Sequence, residues 1–498
     1  MQNKKSAKFT AVFLISALIF ISFASCKTGG GNESKNLNGS EKATISENGN
    51  GGNTETTEGS KRTLDLPGVK YDGYQFRVMN TASSEMYANT TIVAEEETGE
   101  GVNDAVYTRN RLVEDRFEIE IKEILCKRWD ISDQAAKSIM VGSDDFDLAM
   151  LSLDIGAGIA QQHLLADYND MQYADLARYY WDRDMVRDLS IGGHNYFVSG
   201  DFSLQHYGKT QGVFFNKDIL RDLGLESPYG FVTSGKWTYD KFHEMGKSAS
   251  KDLDGDGEFT DKDQYGFIAF SWVYANAFMM GGGSQMIGKD ADDMHIFNVN
   301  NEKFIGIYQK LMGIMHDGNM LFDGGDGKMS LEPMFINNQT LFYANNIHLS
   351  VNFRGMETDF GILPIPKYDE NQSRYYTYVY PPPYMAVPVT SSDLDRTGMI
   401  LEALCYESPD TVVRAYYDNL LKTKVSRDNE SEGMLDMIFQ NRIYSITDIY
   451  YMPETYAQLY TLSQKKDAGD TIVSWMAKNE TVIAAAIEKN NQAFMGDN

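Results

Sequence analysis

The sequence predicts an α/β protein with largely parallel sheets, because short apolar runs alternate with helical patterns from residue 70 onward. The hydrophobic share of 42% is ample for a packed core and excludes disorder throughout the chain. The length of 498 residues suggests roughly three domains. The candidate strands cover residues 73–80, 119–125, 146–151, 196–199, 212–215, 265–270, 360–365 and 385–389.

Helical patterns lie between these runs. Residues 104–117 place Val106, Val113 and Phe117 on one stripe, which predicts an amphipathic helix. Residues 239–250 predict a second helix, with Thr238 as its N-cap. Residues 478–494 predict a last helix at the end of the chain.

The charge is strongly acidic, with 71 acidic and 45 basic side chains and a net charge of −26. Residues 1–62 carry eight basic and five acidic side chains and are net positive, so the rest of the chain, with 37 basic and 66 acidic side chains, carries all of the net negative charge. A body of this charge repels phosphate backbones, and nucleic-acid binding is excluded as a function. An acidic surface also keeps an exported protein soluble.

The N-terminus has the pattern of a signal peptide. Three lysines at positions 4, 5 and 8 precede an apolar run over residues 9–24. This run is shorter than the ~20 residues that span a bilayer, and its flanks are those of a secretory signal. We therefore expect residues 1–25 to be a signal peptide.

Cys26 follows this segment directly. The residues Phe-Ala-Ser before Cys26 resemble the bacterial lipobox, with Phe23 in place of the usual leucine. The resemblance implies that the thiol carries acyl chains such as palmitate, and two or more chains anchor a protein stably. Residues 27–60 contain 23 Gly, Asn, Ser or Thr residues, too polar to fold. Residues 26–62 are thus predicted to be a lipidated cysteine and a disordered tether on the outer face of the cell membrane.

The strongest local motif covers residues 252–263 (DLDGDGEFTDKD) and fits the calcium-loop pattern. Oxygen donors fall at positions 1, 3, 5, 7, 9 and 12, and a turn glycine falls at position 6. Position 12 is aspartate, which is one methylene shorter than glutamate. We expect a structural Ca²⁺ site that joins a helix to a strand, formed by Asp252, Asp254, Asp256, Glu258, Thr260 and Asp263.

No catalytic motif stands out. The seven histidines include no His-Glu-x-x-His pattern, and no Gly-x-Ser-x-Gly elbow occurs. Carboxylates are so abundant that a glycosidase pair is not excluded by counting. Cys126 and Cys405 are open to two interpretations, a disulfide or two buried free thiols.

Several segments resemble the extracellular solute-binding proteins of ABC importers, in particular the sugar-binding group. Residues 215–220 (FNKDIL), 223–225 (LGL) and 236–240 (KWTYD) look like one conserved stretch of that family. Residues 360–366 (FGILPIP) look like its strand before the return crossing, and residues 147–165 are similar to an early ligand-site segment of its maltose-binding members. The resemblance covers roughly residues 70–460.

The resemblance implies a two-lobed periplasmic-binding-protein fold of type II, the Venus-flytrap fold, with strands that cross between the lobes and a hinge that closes on the ligand. The implied divisions are residues 63–211 for the first part of lobe 1, 212–378 for lobe 2 with the calcium loop, 379–430 for the return crossing and the second part of lobe 1, and 431–498 for a C-terminal helical section.

A saccharide site needs aromatic faces for the sugar ring and planar polar groups for its hydroxyls. Asp154 matches a hydroxyl-binding aspartate of the similar segment, whereas Leu151 stands where that segment has a stacking tryptophan. Trp181 and Trp237 are predicted to pack in the core. The residues that the resemblance implies for the cleft are Tyr87, Asp154, Asp201, Trp272, Asn345, His348, Tyr380 and Tyr384.

We therefore expect a monomeric, lipid-anchored binding protein and not an enzyme. It would capture an extracellular solute, a mono- or oligosaccharide, and deliver it to the transmembrane subunits of an ABC permease. A surface glycoside hydrolase or polysaccharide-processing lipoprotein is the alternative from another class, and Asp154 and Asp201 could serve it. A ligand sensor for a membrane receptor and a peptide-binding role also stay open.

Overall fold

The structure is a computed structural model that describes residues 64–83, 91–298, 301–317, 319–325, 330–421, 429–451 and 454–495. The chain divides into two units, Met1–Arg62 and Thr63–Asn498, and the described residues belong to the second. The predicted signal peptide, Cys26, the tether and Tyr87 lie outside the described residues. None of the described helices is long and apolar enough to cross a membrane.

The described strands form four sheets, and their bounds are as follows. The strands are β1 (Tyr74–Thr81), β2 (Ile119–Cys126), β3 (Leu148–Ser152), β4 (Gln211–Asn216), β5 (Tyr265–Ala269), β6 (Ile287–Lys289), β7 (His295–Phe297), β8 (Leu321–Asp323), β9 (Thr340–Asn346), β10 (Phe360–Leu363), β11 (Thr377–Tyr378), β12 (Pro383–Ala386) and β13 (Arg442–Ile443).

Helices cover these sheets and make up most of the C-terminal section. The α-helices are α1 (Gly101–Phe117), α2 (Ile131–Met140), α3 (Leu153–Gln161), α4 (Arg183–Leu189), α5 (Gln205–Gly208), α6 (Lys217–Asp222), α7 (Pro228–Thr233), α8 (Tyr239–Ala249), α9 (Ser271–Gly281), α10 (Glu302–Met315), α11 (Glu332–Ile336), α12 (Leu394–Glu407), α13 (Arg414–Leu421), α14 (Asn429–Gln440), α15 (Ile446–Tyr450), α16 (Tyr456–Ser463) and α17 (Ala468–Phe494).

Local sequence explains where the predicted helices begin. The Thr238 side chain accepts a hydrogen bond from the backbone N–H of Lys241, which caps α8 as expected. Phe242 and Met245 on this helix are buried, as the 3.6-residue period requires. Helix α17 begins ten residues earlier than predicted, at Ala468.

The first lobe is built on a four-stranded sheet of order β12-β3-β1-β2. Strands β1, β2 and β3 are parallel, and β12 is antiparallel to β3. Apolar residues such as Val78 and Leu148 are completely buried on this sheet, because helices cover it. The chain enters this sheet again through β12, after it has built the second lobe.

The second lobe is built on a five-stranded sheet of order β10-β4-β9-β5-β8. Strand β4 is antiparallel to both β9 and β10, while β5 is parallel to β8 and β9. The prediction of largely parallel sheets is therefore wrong for this lobe, where half of the strand pairs are antiparallel. Strand β4 is antiparallel to its neighbours because the chain enters it from the first lobe, at the edge of the sheet where β9 ends.

Two segments depart from the predicted elements. Residues 196–199 form no strand and contribute one isolated bridge, between Val198 and Met385.

The hairpin of β6 and β7 lies within residues 212–378 of the sequence, yet it packs against the first lobe. The Lys289 ammonium donates to Ser190 Oγ at 2.8 Å, and the Gly192 N–H donates to the Asp293 carbonyl at 3.1 Å.

The remaining core predictions concern cysteine and tryptophan. Cys126 and Cys405 are both buried free thiols and do not form a disulfide with each other. Trp181 and Trp237 are 2% and 0% exposed, which confirms their packing role.

Gly200 approaches α12 so closely that an added Cβ would lie 2.6 Å from Cys405 Sγ, so only glycine fits at this first crossing.

Candidate binding cleft

The register of the first sheet shows which edge faces the crossing between the lobes. The parallel strands β1, β2 and β3 end together, and Ser152 is the last residue of β3. Pro383 pairs with Ser152 and follows directly on the segment that returns from the second lobe. The carboxyl ends of the three parallel strands therefore face the crossing.

The second sheet has the same relation to the crossing. Strands β5, β8 and β9 are parallel and end at Ala269, Asp323 and Asn346. Gln211 pairs with Asn346 and follows directly on the segment that arrives from the first lobe. The two sheets thus present their carboxyl edges to the same crossing, and the space between these edges is the candidate binding cleft.

Three chain segments make the crossing itself. Thr210 bridges Val379, and the Tyr380 N–H donates to the Lys209 carbonyl at 3.0 Å. The Val379 N–H donates to the Ile443 carbonyl at 3.1 Å, beside the parallel pair of β11 and β13. Hydrogen-bonded extended segments of this kind can act as a hinge, because small changes in a few dihedral angles rotate one lobe against the other.

A buried ion pair fixes the third segment to the first lobe. Arg442 Nη2 lies 3.3 Å from Asp182 Oδ2, and the Tyr444 hydroxyl donates to the same oxygen at 2.6 Å. Burial alone would raise the pKa of Asp182, but the Arg442 guanidinium and the Tyr444 hydroxyl hold it below its usual value. The Arg442 guanidinium also lies 4.9 Å from the Tyr207 ring centroid.

Asp201, predicted as a hydroxyl acceptor, belongs to this buried group. Its side chain is 9% exposed, and Oδ1 accepts a hydrogen bond from the Tyr207 hydroxyl at 2.8 Å. His206 Nε2 lies 3.8 Å from the same oxygen. Burial lowers the pKa of His206 to about 3, so the imidazole is neutral at physiological pH. The structure places Asp201 in contact with protein groups of the crossing.

Asn345 and His348 lie at the carboxyl edge of the second sheet. Asn345 is 8% exposed, and its amide donates to the Tyr343 hydroxyl at 2.7 Å. His348 is half-buried, and Nδ1 donates to the Gly208 carbonyl at 3.1 Å. The structure therefore brings both residues to the predicted region, and their ligand role stays a prediction.

The two tyrosines of the second crossing differ in position. Tyr380 is half-buried, and the Lys209 ammonium lies 5.2 Å from its ring centroid. Tyr384 is completely buried in β12, where its ring packs edge-on against Phe197 at 4.8 Å between centroids. In this structure Tyr384 is a core residue of the first lobe rather than a cleft residue, because its ring points into the sheet–helix interface.

The structure describes where the backbones of Asp154 and Trp272 lie, but not their side chains. Asp154 is the second residue of α3, directly after β3, and Trp272 is the second residue of α9, directly after β5. Both helices begin at a carboxyl edge that faces the crossing. Their side chains, like the whole of Tyr87, lie outside what the structure describes.

The sequence interpretation missed Trp129. This residue follows β2 at the carboxyl edge of the first sheet, and its side chain is 65% exposed. The local sequence Lys-Arg-Trp-Asp is a largely polar turn. It has no hydrophobic periodicity that would assign Trp129 to one face of a helix or strand. The parallel register of β1 and β2 places this turn at the carboxyl edge of the first sheet.

A buried carboxyl group lies behind the cleft. Asp448 on α15 accepts hydrogen bonds from the Tyr378 hydroxyl at 2.5 Å and from the Asn276 amide at 2.8 Å. Burial raises the pKa of Asp448 to about 6, although the hydrogen bonds from Tyr378 and Asn276 act in the opposite direction. This group joins α9 of the second lobe to the crossing strand β11.

The predicted calcium loop connects α8 to β5, as expected. One oxygen of Asp252 accepts the Gly255 N–H at 2.6 Å, and the other accepts the Gly257 N–H at 2.9 Å. Carboxylate oxygens of Asp252, Asp254 and Asp256 lie within 4.8 Å of one another. Gly257, at position 6 of the loop, has a φ of 85°, which only glycine adopts without strain.

Asp263 closes the loop at position 12. Its carboxylate accepts the Thr260 N–H at 2.8 Å and the Leu253 N–H at 2.9 Å. These backbone hydrogen bonds, from Thr260 first and Leu253 second, lower the pKa of Asp263. The loop therefore holds the Asp263 carboxylate through its own backbone N–H groups, while the carboxylates that converge are those of Asp252, Asp254 and Asp256.

Known structures share this architecture. The sugar-binding protein MalE from Xanthomonas citri is 13% identical, with 85% of this chain and 100% of that chain covered and a TM-score of 0.58. The cyclic alpha-maltosyl-1,6-maltose binding protein from Arthrobacter globiformis is 14% identical, with 84% and 98% covered and a TM-score of 0.56. The maltotriose-bound MalE domain from Bdellovibrio bacteriovorus is 12% identical, with 84% and 98% covered and a TM-score of 0.51. The two-lobed periplasmic-binding-protein fold is thereby confirmed.

The family follows from the sequence itself. Residues 130–395 match the bacterial extracellular solute-binding protein family, which is more than half of the chain. The protein is a member of this family, and the family places it outside the cytoplasm. No curated protein sequence gives a significant match.

Proposed function

We propose that this protein is a lipid-anchored substrate-binding protein that captures an extracellular saccharide and delivers it to an ABC-type permease. The observation that carries the proposal is the pair of carboxyl edges that face one crossing of three hydrogen-bonded segments. Proteins of the same fold are described as bound to maltotriose or as binding a cyclic maltosyl saccharide.

Binding would act through the open and closed populations of the two lobes. A solute that contacts both edges binds the closed form more tightly than the open form, and it shifts the population by that difference in affinity. No bond is made or broken in this cycle, so the site needs no nucleophile or general acid. The permease would then distinguish the closed, loaded protein from the open one.

The test of this function is thermal unfolding of the soluble chain against a panel of saccharides and short peptides. A solute at one hundred times its dissociation constant adds about 2.7 kcal/mol to the free energy of unfolding. For a chain of this size we expect a rise of about 3 °C in Tm with one class of glycan and no product.

Each other outcome contradicts a defined part of the proposal. A shift with peptides alone removes the saccharide assignment, and no shift with any solute removes the binding function. A shift that is accompanied by cleavage of a glycan supports the glycoside hydrolase instead.

The lipid anchor is proposed from residues 1–26 of the sequence. A Cys26→Ser variant lacks the thiol that would carry the acyl chains, so we expect it to leave the membrane fraction and appear in the soluble fraction. The wild-type chain, followed by the same antibody in the same fractionation, is the control. Retention of the variant in the membrane would contradict lipidation at Cys26.

We also propose that the loop of residues 252–263 binds Ca²⁺ as a structural ion. Asp252, Asp254, Asp256 and Asp263 would contribute carboxylate oxygens, Glu258 its backbone carbonyl, and Thr260 a direct or water-mediated contact. The convergence of the Asp252, Asp254 and Asp256 carboxylates within 4.8 Å supports the assignment. The ion would stabilise the connection between α8 and β5.

A further inference from the structure

Trp129 is unusual because a large apolar ring is left in solvent. Its exposed fraction of 65% is the largest among the tryptophans whose side chains the structure describes, since Trp181 and Trp237 are buried and Trp475 is half-buried. Tryptophan is highly buried on average, so a ring exposed at a sheet edge calls for a role. Leu125, at the end of the same strand, is also 60% exposed.

The turn that carries Trp129 is held in place on both sides. The N–H groups of Asp130 and Ile131 both donate to the Lys127 carbonyl at 3.1 Å, and Ile131 is completely buried at the start of α2. The Arg128 guanidinium lies 4.5 Å from the Trp129 ring centroid, within the range of a cation–π contact. The backbone of the turn is therefore held by its own hydrogen bonds and by the buried Ile131, and the ring contacts Arg128.

The order of strands gives the position of Trp129 along the cleft. Strand β12 follows the crossing directly. In the order β12-β3-β1-β2, strand β2 lies three strand positions away from β12. At about 4.8 Å per strand, the end of β2 lies roughly 14 Å from the crossing along the sheet edge. In the second lobe, β8 and its terminal Asp323 are likewise three strands from β4. Trp129 thus follows the outermost strand of the first sheet, at its carboxyl end and roughly 14 Å from the crossing.

We propose that Trp129 is the outer stacking platform of the cleft and that the ligand is an extended oligosaccharide rather than a monosaccharide. An indole face suits the CH face of a sugar ring. A single sugar ring seated at the crossing does not reach a platform roughly 14 Å away, so contact with both requires several linked rings. This inference rests on the proposed saccharide-binding function and adds the length of the ligand to it.

The test compares Trp129→Ala and Trp129→Phe with the wild type in calorimetric titrations of malto- and xylo-oligosaccharides of one to six units. We expect wild-type affinity to rise with length up to the units that reach Trp129. Trp129→Ala should lose about 10-fold in affinity for the longest saccharides and less than 2-fold for the disaccharides, and Trp129→Phe should retain most of the affinity. Met140→Ala is the matched control, because Met140 is 59% exposed at the other end of α2.

The remaining outcomes overturn the inference in distinguishable ways. Equal affinity of Trp129→Ala and wild type at every length would mean that the ring serves another surface, such as a contact with the permease. Wild-type binding of monosaccharides or short peptides alone would remove the oligosaccharide and leave the binding function. Binding of no solute would remove the proposed function as well.

Discussion

Replacement of Arg442 by methionine is expected to lower the free energy of unfolding by about 3–5 kcal/mol, because the change leaves a buried carboxylate without its cation. Asp182 and Arg442 are 3% and 8% exposed, and the Arg442 charge opposes the cost of burying Asp182. In the variant, Asp182 would keep the Tyr444 hydroxyl and the Met185 N–H as donors. Urea unfolding at pH 7, followed by tryptophan fluorescence, measures the loss.

Two further variants separate this effect from general damage. Arg221→Met removes an exposed ion pair with Asp218, which is shorter at 2.7 Å, and should cost less than about 1 kcal/mol. The double variant Asp182→Asn/Arg442→Met removes both charges. We expect it to be more stable than Arg442→Met alone, and a double-mutant cycle measures the difference. A loss below about 1 kcal/mol in Arg442→Met would contradict the importance of this pair at the crossing.

Removal of calcium is expected to have the next largest effect on stability. If the loop of residues 252–263 binds Ca²⁺ only in the folded state, calcium at one hundred times its dissociation constant adds about 2.7 kcal/mol to the free energy of unfolding. Thermal unfolding in 5 mM calcium and in EDTA should then differ by about 3 °C in Tm. The wild type would lose this difference when magnesium replaces calcium, since Mg²⁺ prefers smaller octahedral sites.

The matched variants lie in the same loop. Asp256→Asn keeps the oxygen that accepts the Glu258 N–H at 2.8 Å but loses the charge, so the calcium-dependent shift should shrink or vanish. Asp261→Asn removes a charge at an exposed, non-ligand position and should leave the shift unchanged. Identical unfolding of the wild type in calcium and in EDTA would remove the proposed site.

Much of the fold could be predicted because its strongest signals are local. The apolar runs that became β1, β2 and β5 lie within a residue of their predicted bounds. Strand direction could not be predicted in the same way. β4 and β10 are antiparallel neighbours because of where the chain crosses between lobes, and this depends on contacts between residues 211–216 and 340–363.

The cleft was harder to predict than the fold. The family resemblance assigned Asn345, His348 and Tyr384 to the cleft. The structure places the first two at the carboxyl edge of the second sheet and buries the ring of Tyr384 in β12. The alternation of a strand fixes two opposite faces, but it does not tell which face is covered by helices. Trp129 was not among the predicted residues, because its position at the carboxyl edge depends on the pairing of β2 with β1, which no local pattern records.

The central claim is that solute binds between the two lobes and closes them about the crossing. Small-angle X-ray scattering of the compact unit Thr63–Asn498, with and without the saccharide that gives the largest thermal shift, tests it most directly. We predict a smaller radius of gyration in the bound state, because a ligand in contact with both edges favours the closed form. Saturating binding with an unchanged scattering curve would contradict this account.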